Sequence, residues 1–240
     1  HLIALAKNYN GYKNLIKLVS KSWMEGYYYR PRTDRVELEK YHEDLIVCSA
    51  CIAGEVPSKI IKDDLEGARE ACAWDHRVFG DDYYLELQRH EVKDPTILAN
   101  REAFPLQQKA NKVLLEFAKE YGIKVICTND VHFEDKETAE AHDHLLCLST
   151  GKDLDDPNRM RYSKQEWFKT REEMNDIFSD VPEALSNTLE IFDKVELYSI
   201  EHGPIMPFFP IPESFGTEEG WRKKFTEADL YREFTSDENG

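Results

Sequence analysis

The chain has 240 residues, of which 41% are hydrophobic, and carries a formal net charge of −16. This length suffices for one large domain or two small ones, no apolar run approaches the ~20 residues that span a bilayer, and the N-terminus lacks the layout of a signal peptide. The acidic balance argues against a broad nucleic-acid surface, because phosphate backbones are bound mainly by Lys and Arg. The alternative explanation of the acidic charge is that it only keeps the protein soluble. We therefore expect a soluble globular protein that touches no membrane.

Cysteine usage indicates the compartment. The cysteines are odd in number and thinly spread, which favours free thiols in a reducing cytoplasm over a disulfide framework. The five residues are Cys48, Cys51, Cys72, Cys127 and Cys147.

The chain opens with a strand followed by a helix. The apolar run at residues 1–7 predicts a strand, and Asn8 or Asn10 can cap a helix that stops at Gly26. The residues expected on the buried stripe of this helix are Leu15, Leu18, Ser22 and Trp23.

Two further units follow the same order. Asp34 with Glu37 resembles a capping box for a short helix, after which the apolar run at residues 44–51 predicts a strand. Residues 63–79 read as a helix, and residues 81–90 alternate aromatic and polar side chains as a half-buried strand does.

The clearest predicted helix covers residues 102–121, with Gly122 at the position where a left-handed residue ends a helix. Its apolar stripe consists of Leu106, Ala110, Val113, Phe117 and Tyr121. The strand "KVICTND" follows directly.

Strands that alternate with helices of this length imply parallel strands joined by right-handed crossovers, hence an α/β sheet or barrel. In such folds sites gather at the carboxyl ends of strands. Three predicted strand ends carry residues able to bind metal or phosphate: one presents Cys51, one Gln88 and His90, and one Asp130 and His132. This coincidence favours a site for metal-dependent phosphoester chemistry.

The stretch "TNDVH" at residues 128–132 shows the pattern most clearly. If the strand continues, Asp130 and His132 point to the same side and can reach one metal ion or phosphate. The alternative is ordinary turn chemistry at Asn-Asp, followed by a surface histidine.

Two other groups of possible ligands are weaker. Cys48 and Cys51 form a C-x-x-C, but in a strand they point to opposite faces, and no second pair completes a zinc knuckle, so Cys48 is expected in the core and Cys51 exposed at the strand end. His142, His144 and Cys147 lie on a predicted helix, either as partners behind the site or on a solvated face. The residues that this helix is expected to bury are Ala141, Leu145 and Leu148.

Several motifs of different composition occur along the chain in the same order as in one protein family, which the chain therefore resembles. They are "HLIALAKNYNGYKNLIKLVS", "GYYYRPRTD", "LIVCSACIAGEVP", "YYLELQRH", "CTNDVHF", "EAHDHLLCLSTGK" and "EEMNDIF". Over residues 1–200 the chain resembles the PHP (polymerase and histidinol phosphatase) domain of bacterial DNA polymerase III α subunits.

The resemblance implies a distorted (β/α)7 barrel with a metal cluster at the carboxyl ends of the strands. By position it implies the metal ligands His1, Cys51, Asp130 and His132, of which Asp130 and His132 best fit the activation of a metal-bound water. Gln88 and His90 would lie beside the site. Arg30 and Arg32 are candidates for phosphate contact, with a charged surface pair as the alternative.

The implied cofactors are two or three divalent cations, Zn²⁺ or Mn²⁺, with Mg²⁺ in a polymerase site absent from this chain. The H-x-H motif that opens the family is absent too, so we expect a PHP domain lacking its first segment. A connector containing Pro204, Pro207, Pro210 and Pro212 would follow from residue 201, packing weakly against the domain, and a charged segment, helical to about residue 234, would lead toward the polymerase palm.

The resemblance implies DNA replication, with DNA, a sliding clamp and a proofreading subunit as partners of the whole subunit. Within it, the domain serves either as a 3′–5′ exonuclease or as a structural scaffold. A free-standing phosphatase is disfavoured by the polymerase-like tail. The isolated chain is expected to be inactive.

Overall fold

The computed structural model describes residues 1–92, 100–210 and 212–235, and it leaves side chains undescribed at 100–102 and 233–235. The chain divides into two compact units, His1–Ser199 and Ile200–Gly240. The strands are β1 (Ile3–Ala6), β2 (Leu45–Cys48), β3 (Tyr83–Leu87) and β4 (Lys124–Cys127). The helices of the first unit are α1 (Tyr9–Met24), α2 (Arg35–Lys40), α3 (Glu55–Ile61), α4 (Leu65–Phe79), α5 (Asn100–Tyr121), α6 (Ala139–Thr150), α7 (Arg171–Ile177) and α8 (Pro182–Lys194).

The sheet runs in the order β1-β2-β3-β4, with β2, β3 and β4 mutually parallel and β1 antiparallel to β2. The expectation of parallel strands is therefore wrong for β1. Two helices, α1 and α2, connect β1 to β2 and return the chain to the end of β1, where Lys7 N donates to Asp44 O at 2.9 Å. A pattern of alternating elements does not encode this direction.

Strand β3 is the buried centre of the sheet. All five of its residues are buried, so the prediction of a half-buried strand is wrong. One face packs against the main core through Tyr83, Leu85 and Leu87, and Tyr84 packs on the other face with Ile191 of α8. Central strands of parallel sheets are covered on both faces in this way, and alternation no longer distinguishes inside from outside.

Helix boundaries follow local signals closely. The Asn8 side chain accepts from the backbone N–H groups of Asn10 and Gly11 at the start of α1, and Asp34 accepts from Glu37 N at the start of α2. Gly122, with a φ of +71°, follows the end of α5. Helix α3 was not predicted; it begins after Gly54 without a side-chain cap.

Two predicted buried stripes are wrong in part. In α1, Leu18 is buried, but Trp23 is 59% exposed and stacks on Tyr27. In α6, Leu145 and Leu148 are exposed, as is Ala141, and the helix instead buries Ala139 and Asp143.

The rotation of α6 has an electrostatic cause. Asp143 accepts two hydrogen bonds from Arg159, at 2.6 and 2.7 Å, and both side chains are largely withdrawn from solvent. Bidentate charged pairs are stronger than neutral hydrogen bonds, so this pair offsets the burial of Asp143 on the inner face of α6. The Arg159 guanidinium lowers the pKa of the Asp143 carboxyl, which keeps the pair charged.

The second unit contains little regular structure before its end. Residues 200–210 form neither helix nor strand, and α9 (Glu218–Lys224) and α10 (Glu227–Thr235) follow. The division into a PHP domain at 1–200 and a connector at 201–240, with weak packing between them, stays a prediction. Within the described ranges, no helix has the length and apolar character needed to cross a membrane.

Candidate functional site at the strand ends

The sheet topology brings the start of β1 to the end of β2. Because the two strands are antiparallel, Ile3 lies opposite Cys48, and His1 emerges beside the turn that carries Cys51. The Cys51 Sγ and His1 Nδ1 atoms are 3.7 Å apart. Cys51 is half-buried and Cys48 is buried, and all five cysteines are free thiols. The unexpected direction of β1 is thus what brings an imidazole to this thiol.

Asp130 and His132 meet for a different reason from the one predicted. Strand β4 ends at Cys127, and Asp130 has a φ of +45°, so strand alternation does not apply to the pair. The His132 Nδ1 atom instead lies 2.5 Å from the Asp130 carbonyl oxygen across a tight turn. Since a carbonyl oxygen only accepts, Nδ1 carries the proton and Nε2 keeps its lone pair.

Tyr162 is a member of this cluster that the sequence did not indicate. Its hydroxyl lies 3.0 Å from His132 Nε2, and the two ring centroids are 4.4 Å apart. Burial raises the pKa of Tyr162, and the charges of Asp130, Glu166 and Cys51 raise it further. Tyr162 therefore belongs to the half of the site that contains His132.

The two histidines of α6 were predicted to lie either behind the site or on a solvated helix face, and the structure places them differently. His142 lies against the cluster, with its ring 5.1 Å from Phe133 and 5.2 Å from Tyr162. His144 is exposed and its Nδ1 contacts Glu140 O of its own helix. His142 is thus placed to support His132 from behind, and His144 belongs to a solvated face.

A buried polar network lies beneath these side chains. His90 is 3% exposed, its Nε2 lies 3.1 Å from Asn129 O, and its Nδ1 lies 3.1 Å from Gln107 Nε2. Asn129 in turn donates to Gln165 O and Trp167 O. The network joins the ends of β3 and β4, helix α5 and the segment that carries Tyr162.

The protonation of His90 follows from these partners. A carbonyl at Nε2 requires that nitrogen to donate, which leaves Nδ1 to accept from Gln107. Burial lowers the pKa of His90, against the opposing charge of Glu166 3.4 Å away. Burial thus favours the neutral form of His90, whose ring contacts Asn129 O and Gln107 and so connects the ends of β3 and β4.

Glu86 and Gln88 share the β3 face that ends at the site. Gln88 Nε2 donates to Thr128 Oγ1 at 3.0 Å, while Gln88 Oε1 and Glu86 Oε2 are buried and have no hydrogen-bond partner among the described residues. Burial raises the pKa of Glu86, and the charge of Asp130 adds to this. Glu86 was not among the predicted site residues, although its spacing of two from Gln88 could have indicated it.

The donor types present are those that borderline metals accept: a thiol, two imidazoles and a carboxylate. The His1 ring and the Cys51 thiol lie side by side, whereas the His132 ring contacts Asp130 through the backbone carbonyl oxygen and not through the carboxylate. Among the described residues, no group of three or more His, Cys, Asp or Glu side chains is close enough to hold a metal ion. The ligand set implied by the resemblance thus fits in chemical type and is incomplete in geometry.

Arg30 and Arg32 lie on the rim of a cavity that also includes His1. Neither arginine forms an ion pair with any described residue, so the alternative of a charged surface pair finds no support here. The Arg32 guanidinium instead lies over the Tyr28 ring, 4.7 Å from its centroid.

The structure is a mixed α/β sheet with His, Cys and Asp side chains at its strand ends. Comparison with known protein families shows which of them the chain resembles. Residues 1–90 match the family model described as "PHP domain".

Individual proteins that match most of the chain give a more specific comparison than this family model. It is 44% identical over 219 residues to "DNA polymerase III subunit alpha" of Borreliella burgdorferi, which covers 90% of this chain and 18% of the relative. The proteins of the same name from Campylobacter jejuni and Thermus aquaticus are 38% and 36% identical, covering 91% and 98% of this chain and 18% and 19% of their own lengths. The resemblance to the PHP domain of these subunits is confirmed, and the chain spans about a fifth of the relatives' length.

Proposed function

We propose that this chain is the PHP-domain portion of a bacterial DNA polymerase III α subunit, a DNA-directed DNA polymerase of the cytoplasm. In this proposal its strand ends contribute to a metal-dependent phosphoesterase site of the 3′–5′ exonuclease type, and its sheet is part of a (β/α)7 barrel. DNA, a sliding clamp and a proofreading subunit are the proposed partners of the whole subunit. The observation that carries the proposal is the contact between the His1 ring and the Cys51 thiol after β2, together with the turn after β4 that places the His132 ring on the Asp130 backbone.

The proposed ligands are His1, Cys51, Asp130 and His132, for Zn²⁺ or Mn²⁺. When bound, such ions lower the pKa of a coordinated water and stabilise charge on phosphoryl oxygens. The chain's own contribution is positional. His132 is held as the Nδ1–H tautomer by a backbone carbonyl, which directs the Nε2 lone pair outward, and Tyr162 occupies that direction as a hydrogen-bond partner.

A scaffold role is the second candidate, and the incomplete geometry favours it. Two pairs of donors form a weaker site than one closed cluster, since loss of a ligand or of its orienting shell costs ~10–100-fold in affinity or activity. As a scaffold, the domain would retain the buried network around His90 and Asn129 while binding metal loosely or not at all.

Titration with Co²⁺ tests the proposal, because a cobalt–thiolate bond produces a distinctive absorption band. We expect saturable binding with this band, lost in Cys51→Ser and weakened at least ~10-fold in His132→Ala. The matched controls are Cys147→Ser, which removes another half-buried thiol, and His144→Ala, which removes an exposed histidine. Binding unchanged in both site variants would refute the ligand assignment.

An exonuclease assay in Mn²⁺ separates the two candidate functions. We expect no 3′–5′ cleavage of single-stranded DNA above background by this chain, because the described residues contain no group of three or more His, Cys, Asp or Glu side chains that could hold a metal ion. Cleavage that disappears in Asp130→Ala would show that the chain holds a complete site. Absence of both metal binding and cleavage would leave the scaffold role.

A further inference from the structure

A cavity of about 700 Å³ lies between the segment at residues 28–35 and helix α4. Its lining includes His1 but neither Asp130 nor His132, so it is distinct from most of the strand-end cluster. The volume falls within the range of pockets that bind small organic ligands.

The rim of this cavity is positively charged in a strongly acidic protein. The chain has 47 acidic residues against 31 Lys and Arg, so most guanidinium groups have a carboxylate nearby. Arg35 follows this pattern and pairs with Glu55 at 2.9 Å. Arg30 and Arg32 do not, since neither has an ion-pair partner in the described part of the chain. Two such guanidinium groups in the lining of one cavity are suited to a phosphate or another anion.

The walls of the cavity are aromatic. The Tyr28 and Tyr29 rings meet edge to face with centroids 4.6 Å apart, and Trp74 lies on the α4 side beneath Arg35. Tyr29 is 82% exposed, so most of its ring surface is accessible to a ligand. Exposed rings beside arginines are typical of sites that stack nucleobases.

The floor is polar and includes a buried hydroxyl. The Tyr83 hydroxyl faces the Asp75 carboxyl and lowers the pKa of that carboxyl, although no contact of this hydroxyl with the described residues has full hydrogen-bond geometry. A hydroxyl that donates to Asp75 can still accept a hydrogen bond from a ligand. Ser49 and Asp75 line the same floor, which therefore offers both donors and acceptors.

We propose that this cavity binds one nucleotide unit. The phosphate lies against Arg30 and Arg32, the base packs against Tyr28 and its aromatic neighbours, and the edge of the base faces the Tyr83 hydroxyl. An inorganic anion alone would satisfy the arginines but leave the aromatic walls and the polar floor without a role. The proposal does not depend on the metal chemistry, and binding is measured without metal present.

Equilibrium binding of dAMP to the 240-residue chain in EDTA tests this proposal. We expect saturable binding that Arg32→Ala and Tyr28→Ala each weaken at least ~5-fold, as loss of a phosphate contact and of base stacking require. The controls are Arg77→Ala, an exposed arginine elsewhere, and Tyr27→Ala, whose ring stacks on Trp23. No saturable binding, or equal losses in the controls, would overturn the proposal.

Three further probes identify the recognised unit. Inorganic phosphate and deoxyribose 5-phosphate are expected to bind at least ~5-fold more weakly than dAMP, because they lack the base; equal affinity would refute the base site. A short oligodeoxyadenylate distinguishes a strand end from a free mononucleotide, and tighter binding of either one supports the same pocket.

Tyr83→Phe tests the floor, since it removes the hydroxyl and keeps the buried ring. We expect it to weaken dAMP binding while leaving deoxyribose 5-phosphate binding and the unfolding midpoint unchanged. Unchanged dAMP binding would show that the base edge does not face Tyr83.

Discussion

The strand ends contain two layers that differ in burial. In the lower layer, the side chains of His90, Gln107 and Asn129 are buried: the His90 ring contacts the Gln107 side chain and the Asn129 backbone carbonyl, and the Asn129 amide donates to two further backbone carbonyls. In the upper layer, His132 is exposed and Cys51 and Asp130 are half-buried, and they meet only in pairs.

The difference shows how positioning and binding are divided between the two layers. Buried polar groups that are fully paired rigidify a structure, whereas unpaired ones are costly, so the lower layer is where stability depends on each hydrogen bond. Exposed side chains exchange water for a ligand at little cost to folding. We therefore expect mutations in the lower layer to change stability and mutations in the upper layer to change binding.

The largest effect is expected for Asn129→Ala. Its side-chain amide donates to Gln165 O at 2.9 Å and to Trp167 O at 2.7 Å, and both bonds are lost. With ~1–3 kcal/mol for each carbonyl left unsatisfied, we expect a loss of ~2–4 kcal/mol in the free energy of unfolding, measured with urea. Asn158→Ala, at an exposed position, should change it by less than ~0.5 kcal/mol. A comparable loss in both variants would contradict the importance of the network.

Asp75→Asn is expected to stabilise the chain at neutral pH. Burial raises the pKa of Asp75 to about 6 from an ordinary value of 3.8, so the folded state holds a proton that the unfolded state releases as the pH rises through this interval. Stability is therefore lost between about pH 4 and 6, and ionisation continues to cost free energy at pH 7. We expect a gain of ~1–3 kcal/mol at pH 7 and a much smaller one at pH 4. A gain that does not depend on pH would have another cause.

His90 gives the opposite pH dependence. Its pKa is lowered from 6.5 by burial, so the unfolded state takes up a proton more readily than the folded state. The stability it contributes is present above pH 6.5 and is lost as the pH falls below that value. Thermal unfolding of His90→Gln should show a flatter dependence between pH 5 and 7 than the unchanged chain. His144→Gln, at an exposed histidine, should not alter the slope.

The smallest effect on stability is expected for Tyr162→Phe. The hydroxyl bonds to His132 at an exposed edge, where one hydrogen bond contributes only ~0.5–1.5 kcal/mol. We expect a change of less than ~1 kcal/mol in the free energy of unfolding, together with a change in Co²⁺ binding because His132 Nε2 is freed. A loss as large as that of Asn129→Ala would remove the distinction between the two layers.

Local sequence signals predicted the elements well where the determining contacts are local. The cap at Asn8, the cap at Asp34 and the left-handed Gly122 lie within a few residues of the groups they bond or terminate. The motifs that identify the family are likewise short and contiguous. The predicted proximity of Asp130 and His132 rested on strand alternation, whereas a left-handed turn brings their backbone and ring together.

The sequence by itself thus determined the N-terminal caps of α1 and α2, the end of α5, the segments that contain the strands β1 to β4 and the family that the chain resembles, because those properties depend on neighbours in the chain. Only the tertiary structure decided the antiparallel direction of β1, the rotation of α6 toward Arg159 and the arrival of Tyr162 beside His132. Each of these depends on contacts between residues distant in sequence, through hydrogen bonds and burial that no local pattern specifies.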